Sequence, residues 1–513
     1  MFAMWRAGSR GRRCAAGVVG LLVALGTAPG AVAYAAPESL QPYYEQAPTW
    51  GSCEQMVGDT TNLPTARCAT VSVPVDYADP QGAQAKLAVI RVPATGPRLG
   101  VLLINPGGPG ASAVDTVAGM GALLSDTEIG RSFDLVGFDP RGVGHSTPQL
   151  RCRSDAEFDA YRRDPMVDYS PAGVTHIEAV MRRTAQDCLQ QMGRGFLANV
   201  GTASAARDMD VVRAALGESQ IDYLGFSYGT ELGAAYAERF PERVRAMVLD
   251  GAVDPSADPV TENLLQLAGF QTAFNDYAAD CARSVGCPLG TDPTQFVARY
   301  QQLVNPLVRR LGATSDPRGL SYSDAITGTT NALYTKKYWK FLTSGLLGLQ
   351  RGTDAGDLLL LADDYQHRDQ NGHYANLQDA FTAIRCVDGP FPTDAASWAN
   401  ADLRARQLAP FMSYGQYTGH APRDVCALWP VPPTSRPHAA TSPGPGKVVV
   451  VSTTHDPATP YQAGVNLANE LGGSLISFDG TQHTVVFNGN ECVDSAVVAF
   501  LTESVQPAPE LRC

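Results

Sequence analysis

The pentapeptide Gly225-Phe226-Ser227-Tyr228-Gly229 sets a serine between two glycines, where an apolar run (221–224) gives way to a helical pattern (230–240). A strand-to-helix turn that sharp needs small neighbours and lifts the hydroxyl clear of a sheet, where it can attack a carbonyl carbon. A serine hydroxyl is a poor nucleophile until a base takes its proton. The base in turn needs an acid to orient it. The oxyanion of a tetrahedral intermediate requires two N–H donors, one from the residue after the nucleophile, here Tyr228, and one from a neighbouring loop. Asn105-Pro106-Gly107-Gly108-Pro109 is such a loop. Its prolines have no N–H to give, and Gly108 is the expected donor.

Short strands must position these groups. Residues 71–75 and 87–92 flank the turn Asp79-Pro80-Gln81-Gly82 and read as an antiparallel hairpin. Buried-type strands follow at 101–104, 133–138, 221–224, 246–249, 448–451 and 474–478, most of them ending in a loop unusual in glycine or charge. Helical patterns at 205–216 and 230–240 alternate with them, which implies a doubly wound, mostly parallel sheet with its functional residues at the carboxyl ends of the strands. Residues 256–439 break the alternation. Amphipathic stretches at 262–279, 293–311 and 338–349 predict an inserted helical lid, and 430–446, dense in proline, serine and glycine, reads as a stiff return linker. The expected organisation is a first core segment at 36–255, the lid and linker at 256–439, and a C-terminal core segment at 440–513.

This pattern resembles the α/β-hydrolase fold, in which serine, acid and histidine follow one another along the chain. Of the eight histidines, His483 alone follows a terminal strand and precedes a final helix (492–501). His145 lies upstream of the serine, and His176, His367, His373, His420 and His438 fall in insertion or linker sequence. Two acids compete to orient His483. Asp456 follows the strand at 448–451, in a turn stiffened by Pro457 and Pro460, with the Thr459 hydroxyl expected to hold its carboxylate. Asp250 follows the strand at 246–249, where capping the turn into the lid is a sufficient role. The order of elements favours Asp456.

Composition narrows the setting. The formal charge is −12, and the first 35 residues contribute four arginines and no acid, so the chain beyond them stands at −16. That balance argues against nucleic acid and anionic membranes as partners and would weakly attract a cationic substrate. The basic start up to Arg13, the apolar run 15–28 and the small residues Ala31, Ala33 and Ala35 read as a signal peptide over 1–35. The run is too short for a membrane anchor. Cys14 precedes it, so no cysteine for lipid attachment stands at the cleavage site. Ten further cysteines suit an oxidising compartment. The shortest-loop pairing is Cys53–Cys68, Cys152–Cys188, Cys281–Cys287, Cys386–Cys426 and Cys492–Cys513. No Cys-x2-Cys pair occurs and no cysteine adjoins a histidine, so neither a metal nor an organic cofactor is expected. A secreted monomer is.

Taken together, these residues resemble the secreted tripeptidyl aminopeptidases of actinobacteria, relatives of the proline iminopeptidases, over nearly the whole chain past residue 35. The likeness is densest in 202–255, through Ala205-Ala206-Arg207-Asp208, the Ser227 pentapeptide with Thr230, and Val248-Leu249-Asp250-Gly251. Gly107-Gly108-Pro109-Gly110 and Asp139-Pro140-Arg141-Gly142 match iminopeptidase-like segments, and the regions of Cys386, Cys426 and Asp456 follow the family's C-terminal part. Pro106 stands where iminopeptidases carry histidine, which suits the tripeptidyl branch. The resemblance implies cleavage of short peptides from free peptide or protein N-termini through an acyl-enzyme. Such an enzyme must hold the substrate's ammonium group, and Glu262 and Asp388 are the candidates by position. The competing activity is that of a carboxylesterase or amidase on small uncharged substrates. An inactive hydrolase-like binding protein would have no need of Ser227, Asp456 and His483 together. An epoxide hydrolase or dehalogenase would carry aspartate in place of Ser227.

Overall fold

The computed structural model describes residues 38–513, so the expected signal peptide lies outside the described residues. Among the described residues a single nine-stranded sheet is present, in the order β1-β2-β4-β3-β5-β6-β7-β8-β9. β1 (Arg67–Pro74) and β2 (Gln84–Val92) form the expected hairpin, in register from Arg67 opposite Arg91 to Pro74 opposite Gln84. β2 also pairs antiparallel with β4 (Phe133–Phe138). From β4 onward every pairing is parallel, through β3 (Gly100–Asn105), β5 (Ile221–Phe226), β6 (Val244–Asp250), β7 (Val448–Thr453) and β8 (Ser474–Phe478).

Helices cover both faces, which is why β3, β4 and β7 are buried at every position and are largely apolar, Asp134 in β4 being the charged exception. Alternate residues feed two cores. Leu103, Tyr223, Leu249 and Val450 pack toward the Thr202–Ala215 and Tyr228–Arg239 helices. Leu102, Leu224, Val248 and Val449 pack toward the Ala113–Leu124 and Glu491–Glu503 helices. A third core, built around Phe274, Tyr300 and Phe411, belongs to the helices between β6 and β7.

Three features depart from the sequence expectation. The stretch 293–311 is no single helix: Phe296–Val304 ends in a 3-10 turn, Asn305–Val308, because Pro306 cannot extend the backbone ladder. A short unforeseen strand, β9 (Leu511–Arg512), pairs with β8 and is tied back by Cys492–Cys513. The region between β4 and β5, placed within the first core segment, carries two helices, Asp155–Arg163 and Pro171–Leu197, that join the helical layer over the sheet. Arg162 pairs there with Asp324 and Asp363 at 2.7 Å each, Arg153 with Asp379 at 3.0 Å, and Glu178 with Arg423 at 2.6 Å. No helix among the described residues is long and apolar enough to cross a membrane.

All five expected cysteine pairs are present. Four close loops of fifteen residues or more, the kind of cross-link that stabilises a fold by about 3–4 kcal/mol through restriction of the unfolded chain. Mass spectrometry of unreduced protein should find these ten cysteines oxidised. Two or more free thiols would contradict the pairing.

Candidate active site

Ser227 sits at the carboxyl end of β5 with φ 55° and ψ −126°, a conformation that costs a non-glycine residue energy and is held by its surroundings. Its N–H donates to the Asp250 carbonyl at 2.9 Å. Its own carbonyl accepts the Thr230 N–H at 2.8 Å and the Thr230 hydroxyl at 2.7 Å. Gly229 is required by close approach: a Cβ there would stand 2.7 Å from the Asn105 carbonyl oxygen. The loop after β3 is pressed equally close to the serine, since a Cβ on Gly107 would lie 2.9 Å from Ser227 Cβ and 3.0 Å from Tyr228 N. Asn105 Oδ1 accepts the Gly107 N–H at 3.0 Å. With prolines on either side of the glycine pair and the Gly107 N–H held by Asn105, the Gly108 N–H is the one left over in the pair, on a residue that lines the same cavity as Ser227. Tyr228, first in its helix, has no partner within that helix.

Asp456 and His483 meet after β7 and β8. His483 Nδ1 lies 2.9 and 3.0 Å from the two Asp456 oxygens, and the carboxylate is buried to 2% exposure. Oδ1 also accepts the N–H groups of Ala458 (2.9 Å) and Thr459 (2.8 Å). The Thr459 expectation is therefore corrected in part. Its N–H holds the carboxylate, while its hydroxyl stands 3.3 Å from His483 Nδ1, because the turn after Pro457 directs backbone donors inward. A carboxylate can only accept, so Nδ1 carries the proton and Nε2 is left with its lone pair. Burial pulls the His483 pKa down, but the charge and hydrogen bond of Asp456, with a smaller push from Asp250, leave it above its ordinary value. His455, beside the acid in sequence, turns to Asp276 instead (2.7 Å).

The helical layer takes part directly. The His483 N–H donates to the Tyr334 carbonyl at 2.9 Å, and the Tyr334 ring packs edge-on against the imidazole at 5.3 Å. Gln266 donates to the Ala458 carbonyl at 3.1 Å. These contacts join segments more than a hundred residues apart, and no local sequence signal points to them.

Ser227, Gly108, Tyr228 and Thr459 open onto a cavity of about 1440 Å³ that is also lined by Glu231, Glu262 and Asp388. Both acids singled out from sequence thus face the same space as the serine. Asp388 is held there, its Oδ1 accepting the Thr202 N–H at 2.8 Å and its Oδ2 the Thr202 hydroxyl at 2.7 Å. That hydroxyl has one proton, so the Tyr228 hydroxyl, 2.5 Å away, is the donor to Thr202 Oγ1. Sequence reasoning does not single out Glu231. It lies one helical turn after Ser227 on the same helix, and four-residue spacing, which puts two side chains on one face, was the available signal. Enclosure raises the Glu231 pKa well above the usual carboxylate range, with Asp388 and Glu262 adding like charge. Crowding by the cavity walls lifts Asp388 to about 6 against the Thr202 hydrogen bonds, and Glu262, which remains exposed to solvent, to about 7 against Arg385. The Arg385 guanidinium is itself committed to Asp424, at 2.8 and 2.9 Å.

A mostly parallel sheet in this strand order, with a strained serine at the end of β5, defines a serine hydrolase of the α/β-hydrolase fold. The chain belongs to that family: the family model described as alpha/beta hydrolase fold matches residues 100–490. Among curated proteins it is similar to Carboxylesterase B of Mycobacterium tuberculosis (strain H37Rv), 67% identical over 465 residues, covering 91% of this chain and 89% of the relative. It is 53% identical over 481 residues to Serine protease Hip1 of the same strain, covering 92% of each chain. Tripeptidyl aminopeptidase of Streptomyces lividans is 33% identical over 467 residues, covering 88% of this chain and 84% of that one.

Proposed function

We propose that the protein is a secreted serine exopeptidase that releases short peptides, tripeptides foremost, from free N-termini. Ser227 Oγ attacks the scissile carbonyl as His483 Nε2 takes its proton, and Asp456 stabilises the imidazolium so formed. The N–H groups of Gly108 and Tyr228 hold the oxyanion. The imidazolium then protonates the departing amine, leaving the peptide esterified to Ser227, and a water molecule activated by the same imidazole releases it. Export is supported by the sequence over 1–35 and by the five disulfides.

The observation that carries the reading is the set of carboxylates, Glu231, Glu262 and Asp388, gathered in the cavity of Ser227 with no cationic side chain bonded to them. Repulsion among carboxylates that share one cavity disfavours its empty, fully ionised state, and a substrate ammonium relieves it. The Streptomyces relative bears the name of a tripeptidyl aminopeptidase, in keeping with this chemistry. The name Carboxylesterase B on the 67% relative favours the second reading, an esterase for uncharged substrates.

One comparison separates the two. Losing a charge-assisted contact costs about 1.5–3 kcal/mol, or roughly ten- to a hundred-and-fifty-fold in kcat/KM. Acetylating the N-terminus of a tripeptide chromogenic amide should lower cleavage by at least that factor. Glu231→Gln or Glu262→Gln should weaken the free-amine substrate and spare a p-nitrophenyl ester. The carboxylates must be ionised to hold the ammonium group. KM for the free-amine substrate should therefore rise as pH falls through about 7 to 6, where Glu262 and Asp388 take up protons. Equal cleavage of acetylated and free substrates would leave the esterase reading standing.

A further inference from the structure

We propose that Asp250 is a positioning residue that locks the nucleophile's turn to the histidine loop, an inference that rests on reading Ser227 as nucleophile and His483 as base. Asp250 ends β6, which lies between β5 and β7 in the sheet. From there it reaches both sides of the site. Its carbonyl oxygen accepts the Ser227 N–H at 2.9 Å. Its side-chain Oδ2 accepts the N–H groups of Val485 and Val486 at 2.7 Å each, two and three residues beyond His483. The next residue, Gly251, has φ +68°, and a Cβ added there would stand 3.1 Å from His483 Cε1, so the backbone passes directly beneath the imidazole.

Capping the turn into the helical layer does not account for this arrangement, because the carboxylate bonds to the loop after β8 rather than to its own turn. Asp250 is 0% exposed, and its Oδ1 has no partner. Burying a carboxylate with an oxygen unpaired is costly. Such costs are retained chiefly at functional sites, where the surrounding structure sustains them. Burial pushes the Asp250 pKa up to about 7, opposed by the two N–H bonds and by His483, and aided by Asp456. Those two residues are the titratable groups that face it.

Ser227 Oγ and His483 Nε2 come from segments more than 250 residues apart and must meet within hydrogen-bonding reach. A misplacement of about 1 Å costs on the order of a hundredfold in rate. Asp250→Ala removes the clamp. Asp250→Asn keeps an oxygen for both N–H groups and sets an amide where Oδ1 stands unpaired. With a p-nitrophenyl ester and a fluorophosphonate probe, neither of which depends on peptide specificity, Asp250→Ala should lower kcat and labelling rate about 10- to 100-fold. KM should stay within about threefold, as expected for lost alignment rather than lost binding. Asp250→Asn should recover most of both rates. Asp250→Ser, too short to reach Val485, replaces the alanine variant if that one does not fold, with the same expected loss. His483→Ala run beside them separates the two ideas, since wild-type labelling in that variant would remove the site reading itself. If His483→Ala is inactive while Asp250→Ala labels at full rate, the positioning role is overturned. It is overturned too if Asp250→Asn loses as much as Asp250→Ala, or if the loss falls on KM.

Discussion

Ser227→Ala is expected to abolish covalent labelling by a fluorophosphonate and to remove nearly all turnover, on the order of a millionfold in kcat if the site behaves as other serine–histidine–acid sites do. Residual catalysis of about a thousandfold over water should persist, because the cavity and the Gly108 and Tyr228 donors act on substrate without the nucleophile. The fold should be unaffected. Ser227 keeps its place through its backbone, by the Asp250 carbonyl on one side and Thr230 on the other, and alanine retains both contacts. His483→Ala should match Ser227→Ala rather than add to it, since nucleophile and base act as one unit. Labelling of Ser227→Ala at the wild-type level would remove the serine from the reaction.

Asp456→Asn should lower kcat by about two to four decades with little change in KM. An asparagine side chain can present its amide to Nδ1, which then turns acceptor and moves the proton to Nε2, the wrong nitrogen for taking one from Ser227. The pH profile gives an independent readout. Asp456 is the main reason the His483 pKa stands above its ordinary value, and burial pulls the other way. In the wild type the active neutral imidazole is lost as pH falls through that raised value. Without the Asp456 charge, what activity remains should persist to lower pH. If Asp250→Asn proves the more damaging change at equal folded yield, the assignment of Asp456 as the orienting acid fails.

Much of this site was legible because its signals are local. Ser227 announces itself through flanking glycines at a change from apolar run to helical pattern. Gly108 is the proposed donor because proline cannot donate, which narrows the loop to its two glycines, and the Gly107 N–H is held by Asn105. Asp456 and His483 follow from chain order once the alternation of strands and helices is seen, and the structure brings them to 2.9 Å. The cysteine pairs were readable for the same reason, each joining partners no more than 40 residues apart. The helix pattern at 293–311 misled because periodicity carries no penalty for Pro306, whereas the backbone does.

What the sequence determined by itself was the order of elements and the residue types at the ends of strands, since periodicity, turn chemistry and proline's missing donor act within a few residues. Tertiary structure decided which distant groups share one space. Only there do Glu231, Glu262 and Asp388 line a single cavity, and only there does Tyr334 present its carbonyl to His483. Only there does one Asp250 side chain reach the N–H groups of Val485 and Val486. Packing brings such groups together across hundreds of residues, and no pattern confined to neighbouring positions records the meeting.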